Sequence, residues 1–448
     1  FAPSTPSHRN SRKRVRPMAA DTREIAVDYL ARVEGEGAMY LKLDGDQVKD
    51  LRFNIFEPPR FYEAFLRGRR FTEVPDITAR ICGICPVAYQ TSSINAMENA
   101  AGVSVTRQIR ELRRLLYFGE WIESHTLHVY MLHAPDFLGY PSAIEMAADH
   151  PEVVTNALRL KKLGNSIMTA VGGREIHPIN MKVGGFYRAP TRAELEPFVE
   201  ELEWALDVAS DTVDLVAGFE FPDFEMDYEF VALRHPDEYA IVDGRIVSTA
   251  GLDIDATEWT DHFEEQHVEW SNALHARIKE RGRYHVGPMA RFTLNHDRLT
   301  PLARQAADRV GLAAGESNPF KSIIVRAVEI ILSCEEALKI IAAYERPDPP
   351  AVRVEPRSVE GHGVSEAPRG VLYHRYRVDA EGLIEDAQIV PPTSQNQAQI
   401  EEDLRQYVPG RTDLDDEVLQ WQLEQAIRNY DPCISCATHF LDLTVERT

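Results

Sequence analysis

RICGIC (residues 80–85) and DPCISC (residues 431–436) hold four of the five cysteines of this 448-residue chain, arranged as two Cys-x-x-Cys pairs. That spacing lets two thiolates converge on one ion, so such pairs are metal-binding or redox elements rather than core. An odd cysteine count in a long chain argues against a disulfide framework and for a reducing compartment. Structural four-cysteine zinc sites use the same pairs, but they commonly staple small units. Here Cys82 and Cys433 stand 351 positions apart. A site joining them ties both ends of the chain together and marks the centre of the fold. The fifth cysteine, Cys334, lies in KSIIVRAVEIILSCEEALKII (321–341) and reads as a buried helical thiol.

Working outward, apolar residues recur at three and four spacing near 106–134, 192–217, 257–281, 318–345 and 415–429, which predicts five long helices. NPFKSIIVRAVEIILSCEEALKIIAAY (318–344) is apolar on much of its circumference, as a central bundle helix should be. PDPPAVRVEP (347–356) stops it and opens a loop-rich region. Alternation around an Asp-Gly turn predicts a hairpin over 37–56; further hairpins are predicted over 238–249 and 376–390. The expected fold class is α+β, mainly helical: a central long-helix bundle with small peripheral antiparallel sheets, in a single domain over 18–439.

With 44% hydrophobic and 27% charged residues the chain can bury a real core. No apolar run reaches the roughly eighteen residues of a spanning helix, so direct membrane insertion is not expected. The net charge of −22 speaks against nucleic acid as a partner. Residues 1–17 (FAPSTPSHRNSRKRVRP) carry five Arg/Lys and no acid. They read as a basic arm, a targeting peptide or sequence upstream of a start at Met18, and are set aside from the fold.

The two cysteine pairs with their flanks resemble the large, catalytic subunit of nickel–iron hydrogenases. Arg80-Ile-Cys82-Gly83-Ile-Cys85 is similar to that family's N-terminal R-x-C-G-x-C element, and Asp431-Pro432-Cys433-Ile-Ser-Cys436-Ala-Thr-His439 to its C-terminal D-P-C-x-x-C-x-x-H. The resemblance continues through RVEGEG (32–37), EAPRG (366–370) and PPTSQN (391–396). It implies that Cys82 and Cys433 are terminal nickel ligands, and that Cys85 and Cys436 bridge nickel to an iron carrying carbon monoxide and cyanide. Soft thiolates suit such metals. It further implies that Glu34 takes the proton from a terminal thiolate, a task whose pKa burial can tune. Arg369 would hang over the open coordination position, and Pro392 and Thr393 would face the cyanides. Glu63 and His439 would hold a magnesium or iron ion, a fit for a small octahedral site. Read without the resemblance, Glu63 suits an i,i+4 pair with Arg67. Asp431 is expected to be tied down by hydrogen bonds beside the cluster. His125 and His128 share a helix face and are expected to be a packed, hydrogen-bonded pair.

Tyr89 stands where many relatives of that family carry histidine, and Glu36 where many uptake enzymes do. With GGREIHP (172–178), these features are similar to the cytoplasmic, bidirectional, NAD(P)-linked branch of sulfhydrogenase type. The activity so implied is reversible heterolytic cleavage of dihydrogen. Only Cys334 is left over, too few for an iron–sulfur cluster, and no dinucleotide fingerprint is visible. A small iron–sulfur subunit and diaphorase-type flavin/NAD(P) subunits are therefore the expected partners. Residues 440–448 (FLDLTVERT) resemble the tail that a maturation endopeptidase removes after nickel insertion. The alternatives at this stage are a non-catalytic zinc scaffold of a complex-I-like assembly, and the same chemistry with a deazaflavin or membrane acceptor.

Overall fold

The computed structural model describes residues 22–438. The basic segment 1–17, His439 and the tail 440–448 lie outside the described residues. Five long helices organise the chain: α1 (Pro86–Ala101), α2 (Arg107–Thr126), α3 (Pro151–Gly172), α4 (Phe198–Ala217) and α5 (Ser322–Ala342). α2 packs on α3 and on α5, and α5 on α4. The Thr106 hydroxyl starts α2 by accepting from the Ile109 N–H. Every residue of α5 from Ser322 to Cys334 is buried, so it is the central helix. Each buried Ile, Leu or Val there contributes about 1.5–3 kcal/mol. Cys334 is a free, buried thiol.

Three antiparallel strands, β1 (Thr22–Val27), β2 (Gly37–Asp44) and β3 (Gln47–Ile55), form a sheet in that order, and β2–β3 is the hairpin predicted over 37–56. A mixed four-stranded sheet joins β4 (Phe230–Arg234), β5 (Arg245–Ser248), the two-residue β6 (Asp253–Ile254) and β9 (His285–Val286), with β9 parallel to β4. Between them β7 (Phe263–Gln266) pairs with β8 (His275–Ile278). A last antiparallel sheet is β10 (Val359–Ala367), β11 (Gly370–Val378) and β12 (Ile384–Val390), the β11–β12 hairpin being the one predicted over 376–390. Helices α6 (Pro392–Tyr407) and α7 (Asp416–Arg428) then close the chain, and their buried Ile400, Leu404, Leu423 and Ile427 join Leu41, Phe53 and Ile55 of the first sheet in one core. Helical bundle and small sheets are thus the architecture expected.

Two expectations are corrected. The stretch 257–281 is no long helix: a short helical turn, Trp259–His262, leads into the β7–β8 hairpin. Trp259 stacks on Phe263 at 4.1 Å and on Tyr373 of β11 at 4.5 Å, so the aromatics pack against a sheet rather than along a helix face. Nor do residues 238–249 form a hairpin. β5 pairs with β4, and Tyr239–Val242 runs as buried irregular chain in which the Ile241 carbonyl accepts from the Glu366 N–H.

Beneath the sheets lies a buried ionic network. Arg291, fully buried on the short helix Pro288–Leu294, bonds Glu329 of α5 through two nitrogens at 2.8 and 2.9 Å and Glu366 of β10 at 3.1 Å. The same guanidinium donates to the Ala367 and Pro368 carbonyls, each at 2.8 Å, and so fixes the turn between β10 and β11. Its charge holds the Glu329 carboxyl well below the usual range against the opposing effect of burial. Removing one partner of such a network strands the others. Arg291→Ala is therefore expected to cost about 3–5 kcal/mol of stability. Arg159→Ala, which breaks an exposed pair with Glu201, should cost about 1 kcal/mol or less. Denaturant unfolding of both variants checks the contrast.

Candidate active site

The N-terminal cysteines sit where a short 3-10 turn, Ala79–Ile81, gives way to α1. Pro86 opens that helix at a position where no N–H is needed, and the Glu120 carboxylate of α2 accepts from the Val87 and Ala88 N–H groups at 2.6 and 3.2 Å. Backbone N–H groups of Ile84 and Cys85 point at the Cys82 sulfur, each at 3.3 Å. This is a loop shaped to hold thiolates.

The C-terminal pair follows α7. Asp431 adopts a left-handed φ of 50°, which turns the chain into Cys433. There a one-residue parallel bridge joins Cys433 to Glu34, with the Ile434 N–H donating to the Glu34 carbonyl at 2.9 Å. Gly35 makes the approach possible: its φ is +90°, and a Cβ there would lie 2.5 Å from Glu57 Oε2 and 2.7 Å from Ile434 Cβ. Arg60 clips the two arms together, donating to the Ile81 carbonyl at 2.7 Å and to the Ser435 carbonyl.

The four sulfurs meet. Cys82–Cys433 is 3.4 Å, Cys85–Cys436 3.6 Å and Cys433–Cys436 2.8 Å, and all four residues are at most 3% exposed. The Cys82 thiol is drawn down by hydrogen bonds from its three neighbours, Cys433 first, while burial pushes Cys433 up. Cys433 Sγ lies 3.1 Å from Glu34 Oε2, to which the Ser435 N–H also donates at 3.0 Å. Burial first, then the Cys82 charge, raises the Glu34 carboxyl.

Arg369 arrives from the β10–β11 turn. Its Nε donates to the Asp431 carbonyl at 2.6 Å and its Nη2 to Asp431 Oδ1 at 3.1 Å, while buried Nη1 has no partner among the described residues. Burial opposes its charge, but Asp431 and the thiols hold it protonated. The Thr393 hydroxyl oxygen accepts from the Cys433 N–H at 3.0 Å, and Pro392 is the first residue of the same helix, α6. Sequence and structure thus bring Cys82, Cys85, Cys433, Cys436, Glu34, Arg369, Asp431 and Thr393 to one point.

Glu63 lies elsewhere. It is largely buried, accepts from the Ile389 N–H at 2.7 Å, and is pushed up to about 8 by burial and by Glu265, itself raised to about 7. Arg67, the i,i+4 neighbour, pairs with Asp386 at 3.2 Å. His125 and His128 are buried, as expected, but face different partners: His125 Nε2 is 2.9 Å from Glu329 Oε2, and His128 Nε2 is 2.7 Å from the Arg428 carbonyl. Tyr89 is buried with its ring 5.7 Å from His374. A second donor group, His235, Glu238 and Asp243, lies nearer the surface, and Arg110 already neutralises its carboxylates at 2.7 and 2.8 Å.

Arg60, Glu120 and Arg291 escaped sequence reading because each acts on backbone through a fold-dependent contact. No spacing announces such a contact. For Arg60 the consequence is testable: loss of a side chain that orients ligands typically costs about 10–100-fold in metal affinity. Arg60→Ala is expected to fold but to retain less metal per chain, as read by elemental analysis after dialysis against a chelator.

Comparison with known proteins agrees with the geometry. The nickel-dependent hydrogenase family matches residues 60–156 and 258–439. Among curated relatives, the alpha subunit of sulfhydrogenase 1 from Pyrococcus furiosus is 34% identical over 94% of this chain and 98% of that one. The beta subunit of the NAD-reducing hydrogenase HoxS from Cupriavidus necator is 29% identical over 94% and 95% respectively. A crystal structure of an NAD+-reducing [NiFe]-hydrogenase in its H2-reduced state superposes with a TM-score of 0.83 at 27% identity, covering 93% of this chain and 99% of that one. A buried four-thiol cluster, the family match and a relative aligned almost end to end lead to one conclusion: this chain belongs to the nickel-dependent hydrogenases, as their large, catalytic subunit.

Proposed function

We propose that the chain catalyses reversible heterolytic cleavage of dihydrogen at a nickel–iron centre and passes the electrons, through partner subunits, to NAD(P). The observation that carries the chemistry is the contact between Cys433 Sγ and Glu34 Oε2 at 3.1 Å beside an unpartnered, buried Arg369 Nη1. The donor set fits the metals: four soft sulfurs whose ligand atoms all lie within 4.8 Å of one another, in a pocket where Arg369 adds a fixed positive charge. Cys82, Cys85, Cys433 and Cys436 would hold nickel and iron, the iron carrying carbon monoxide and cyanide. When bound, the centre supplies the Lewis acidity and electron capacity that splitting dihydrogen requires.

This chain's own residues do the rest. Arg369 Nη1 presents a donor that stays protonated and polarises a molecule at the cluster. The Cys433 sulfur takes the proton, and Glu34, its carboxyl raised towards the working range, takes it from Cys433. The Thr393 hydroxyl, whose oxygen accepts from the Cys433 N–H, would have its own proton free for an iron-bound cyanide, with Pro392 preceding it at the start of α6. Asp431 keeps Arg369 in register. Glu63, with Glu265 close by and His439 beyond the described residues, would hold magnesium or ferrous iron; two buried carboxyls raised towards neutrality favour a cation there.

Electrons need an exit. Cys334 is isolated in α5, so iron–sulfur clusters belong on a small partner subunit. The exposed Gly83, between the N-terminal cysteines, and the exposed Ile176, Ile179 and Tyr187 (52%, 52% and 64%) offer an apolar face beside the cluster for it. Flavin and NAD(P) would sit on diaphorase-type subunits, in keeping with the NAD-reducing relatives. We assign the complex to the cytoplasm, where free thiols persist. No helix among the described residues is long and apolar enough to cross a membrane. Residues 440–448 would be removed by a nickel-dependent maturation endopeptidase.

The test uses the metal-loaded complex with its partners. Under dihydrogen it is expected to reduce NADP+ or NAD+, and Glu34→Gln is expected to keep nickel and iron yet lose about 10²–10⁴-fold in turnover. Reduction of a deazaflavin alone would overturn the acceptor. Full turnover in Glu34→Gln would overturn the role of that carboxylate.

A further inference from the structure

The central helix α5 carries Ser322, Arg326 and Glu329 on one face, at i, i+4 and i+7. The two ends of that stripe are tied to the two segments that meet beside the cluster. The Ser322 hydroxyl donates to the Asn429 carbonyl at 2.8 Å, two residues before Asp431. Glu329 is bonded to Arg291, which holds the turn that presents Arg369. Arg326 stands between these ties and acts electrostatically on both Asp431 and Arg369. It is 1% exposed; its buried Nε and Nη1 have no hydrogen-bond partner among the described residues, and no carboxylate there pairs with it. The two carboxylates whose charge reaches it are already claimed. Arg291 holds Glu329 through two nitrogens, and Arg369 holds Asp431 at 3.1 Å. Burial pushes the Arg326 guanidinium down to about 10, which leaves it protonated at neutral pH. His125, His128, His133 and His285, which feel its charge, are held below the usual imidazole range, first by burial, and stay neutral. A buried positive charge of this kind is costly to keep unless something negative answers it.

We propose that Arg326 is a fixed countercharge to the metal cluster, and that its unshared positive field sets how readily the centre takes up electrons. The proposal rests on the nickel–iron reading given above. Four thiolates already cancel two divalent metal ions, so any cyanide on the iron leaves the cluster net negative. Arg369 shares its charge with Asp431, whereas Arg326 shares its charge with no carboxylate. Coulomb attraction falls only as the inverse of distance, so a guanidinium in a dry interior acts on the centre without touching it. The central helix is the place for such a charge. Every residue of α5 from Ser322 to Cys334 is buried, which fixes the position of Arg326 and keeps away the water and salt that would screen it. Because it touches no reacting atom, Arg326 is a positioning residue that works through its charge.

The experiment is infrared spectroscopy of the complete metal-loaded complex at a series of applied potentials. Arg326→Met replaces the guanidinium with an apolar chain, and Arg326→Gln with a neutral amide. Both are expected to keep nickel and iron and to move the iron-carbonyl band to lower frequency, since less positive field leaves more electron density on the iron. At a fixed applied potential the ratio of oxidised to reduced centre should rise by about tenfold or more, the effect of one unit charge about two helical turns away at an effective dielectric near 20. Arg326→Lys keeps the charge but not the planar fork, and should return both readings to those of the unaltered complex. A band and a ratio unchanged in both neutral variants, at full metal content, would overturn the proposal. Should neither neutral variant load metals, Arg326→Lys decides: unaltered bands uphold the role of the charge, and displaced bands at full metal content overturn it. No carbonyl or cyanide bands in the unaltered complex would instead overturn the nickel–iron reading beneath it.

Discussion

Four buried sulfurs drawn from the two ends of a long chain impose the constraint on which the rest of the structure depends. At separations of 2.8–3.6 Å, two ionised thiolates repel by on the order of 5 kcal/mol even at an effective dielectric near 20. Four such groups cannot all ionise in a dry interior without compensating positive charge. One buried guanidinium, Arg369, supplies part of it, and bound metal ions would supply the remainder. Everything around the cluster serves to bring those charges together and keep them there. The Glu34–Cys433 bridge, Arg60 across both arms and Glu120 at the head of α1 each fix backbone that would otherwise be free.

That constraint explains why the interior is so polar. The centre of a bundle is ordinarily apolar, yet α5 carries Arg326 and Glu329 inward, and α2 carries Glu120, His125 and, just beyond its end, His128. Arg291 ties Glu329 to the β10–β11 turn, so the element that presents Arg369 is anchored through the central helix. Arg428 does the same at the other side, pairing fully buried with Asp136 at 2.7 Å just before the C-terminal cysteines. Buried ion pairs of this kind add little net stability against an apolar alternative. Their effect here is geometric: they hold backbone turns at fixed distances from the thiols.

The site was more legible than the scaffold. Cys82, Cys85, Cys433 and Cys436 could be named from their paired spacing because chemistry dictates residue type there, whereas Glu34 and Arg369 were named only through the family resemblance of RVEGEG and EAPRG. α2, α4, α5 and α7 could be read from apolar periodicity. α1 and α6 could not, since they are buried but polar. Gln395 and Asn396 on α6 satisfy themselves on the backbone of Val371, Val390 and Val286, and Asn95 on α1 bonds the Val242 and Val364 carbonyls. A helix that exchanges its apolar stripe for backbone-directed amides carries no 3.6-residue signature. β10 was hidden for a related reason: Gly361 and Gly363 let it lie against α1, where a Cβ would come within 2.2 and 2.1 Å of the Ala96 and Ser92 carbonyls. The helical reading of 257–281 failed because tertiary aromatic stacking, not periodicity, decides that stretch.

The fold therefore acts as a clamp: two cysteine loops, one arginine turn and one glutamate from the loop between β1 and β2, each fastened by a different buried polar contact, closed on a single point. Nickel and iron are the metals expected at that point. Elemental analysis of the chain purified with its partners and matured, combined with infrared spectroscopy in the carbonyl and cyanide region, tests this most directly. Nickel and iron in about equal amounts, with bands from iron-bound carbon monoxide and cyanide, is the result the account predicts. Zinc in place of both, with no such bands in the fully matured complex, would contradict it and make the four cysteines a structural staple.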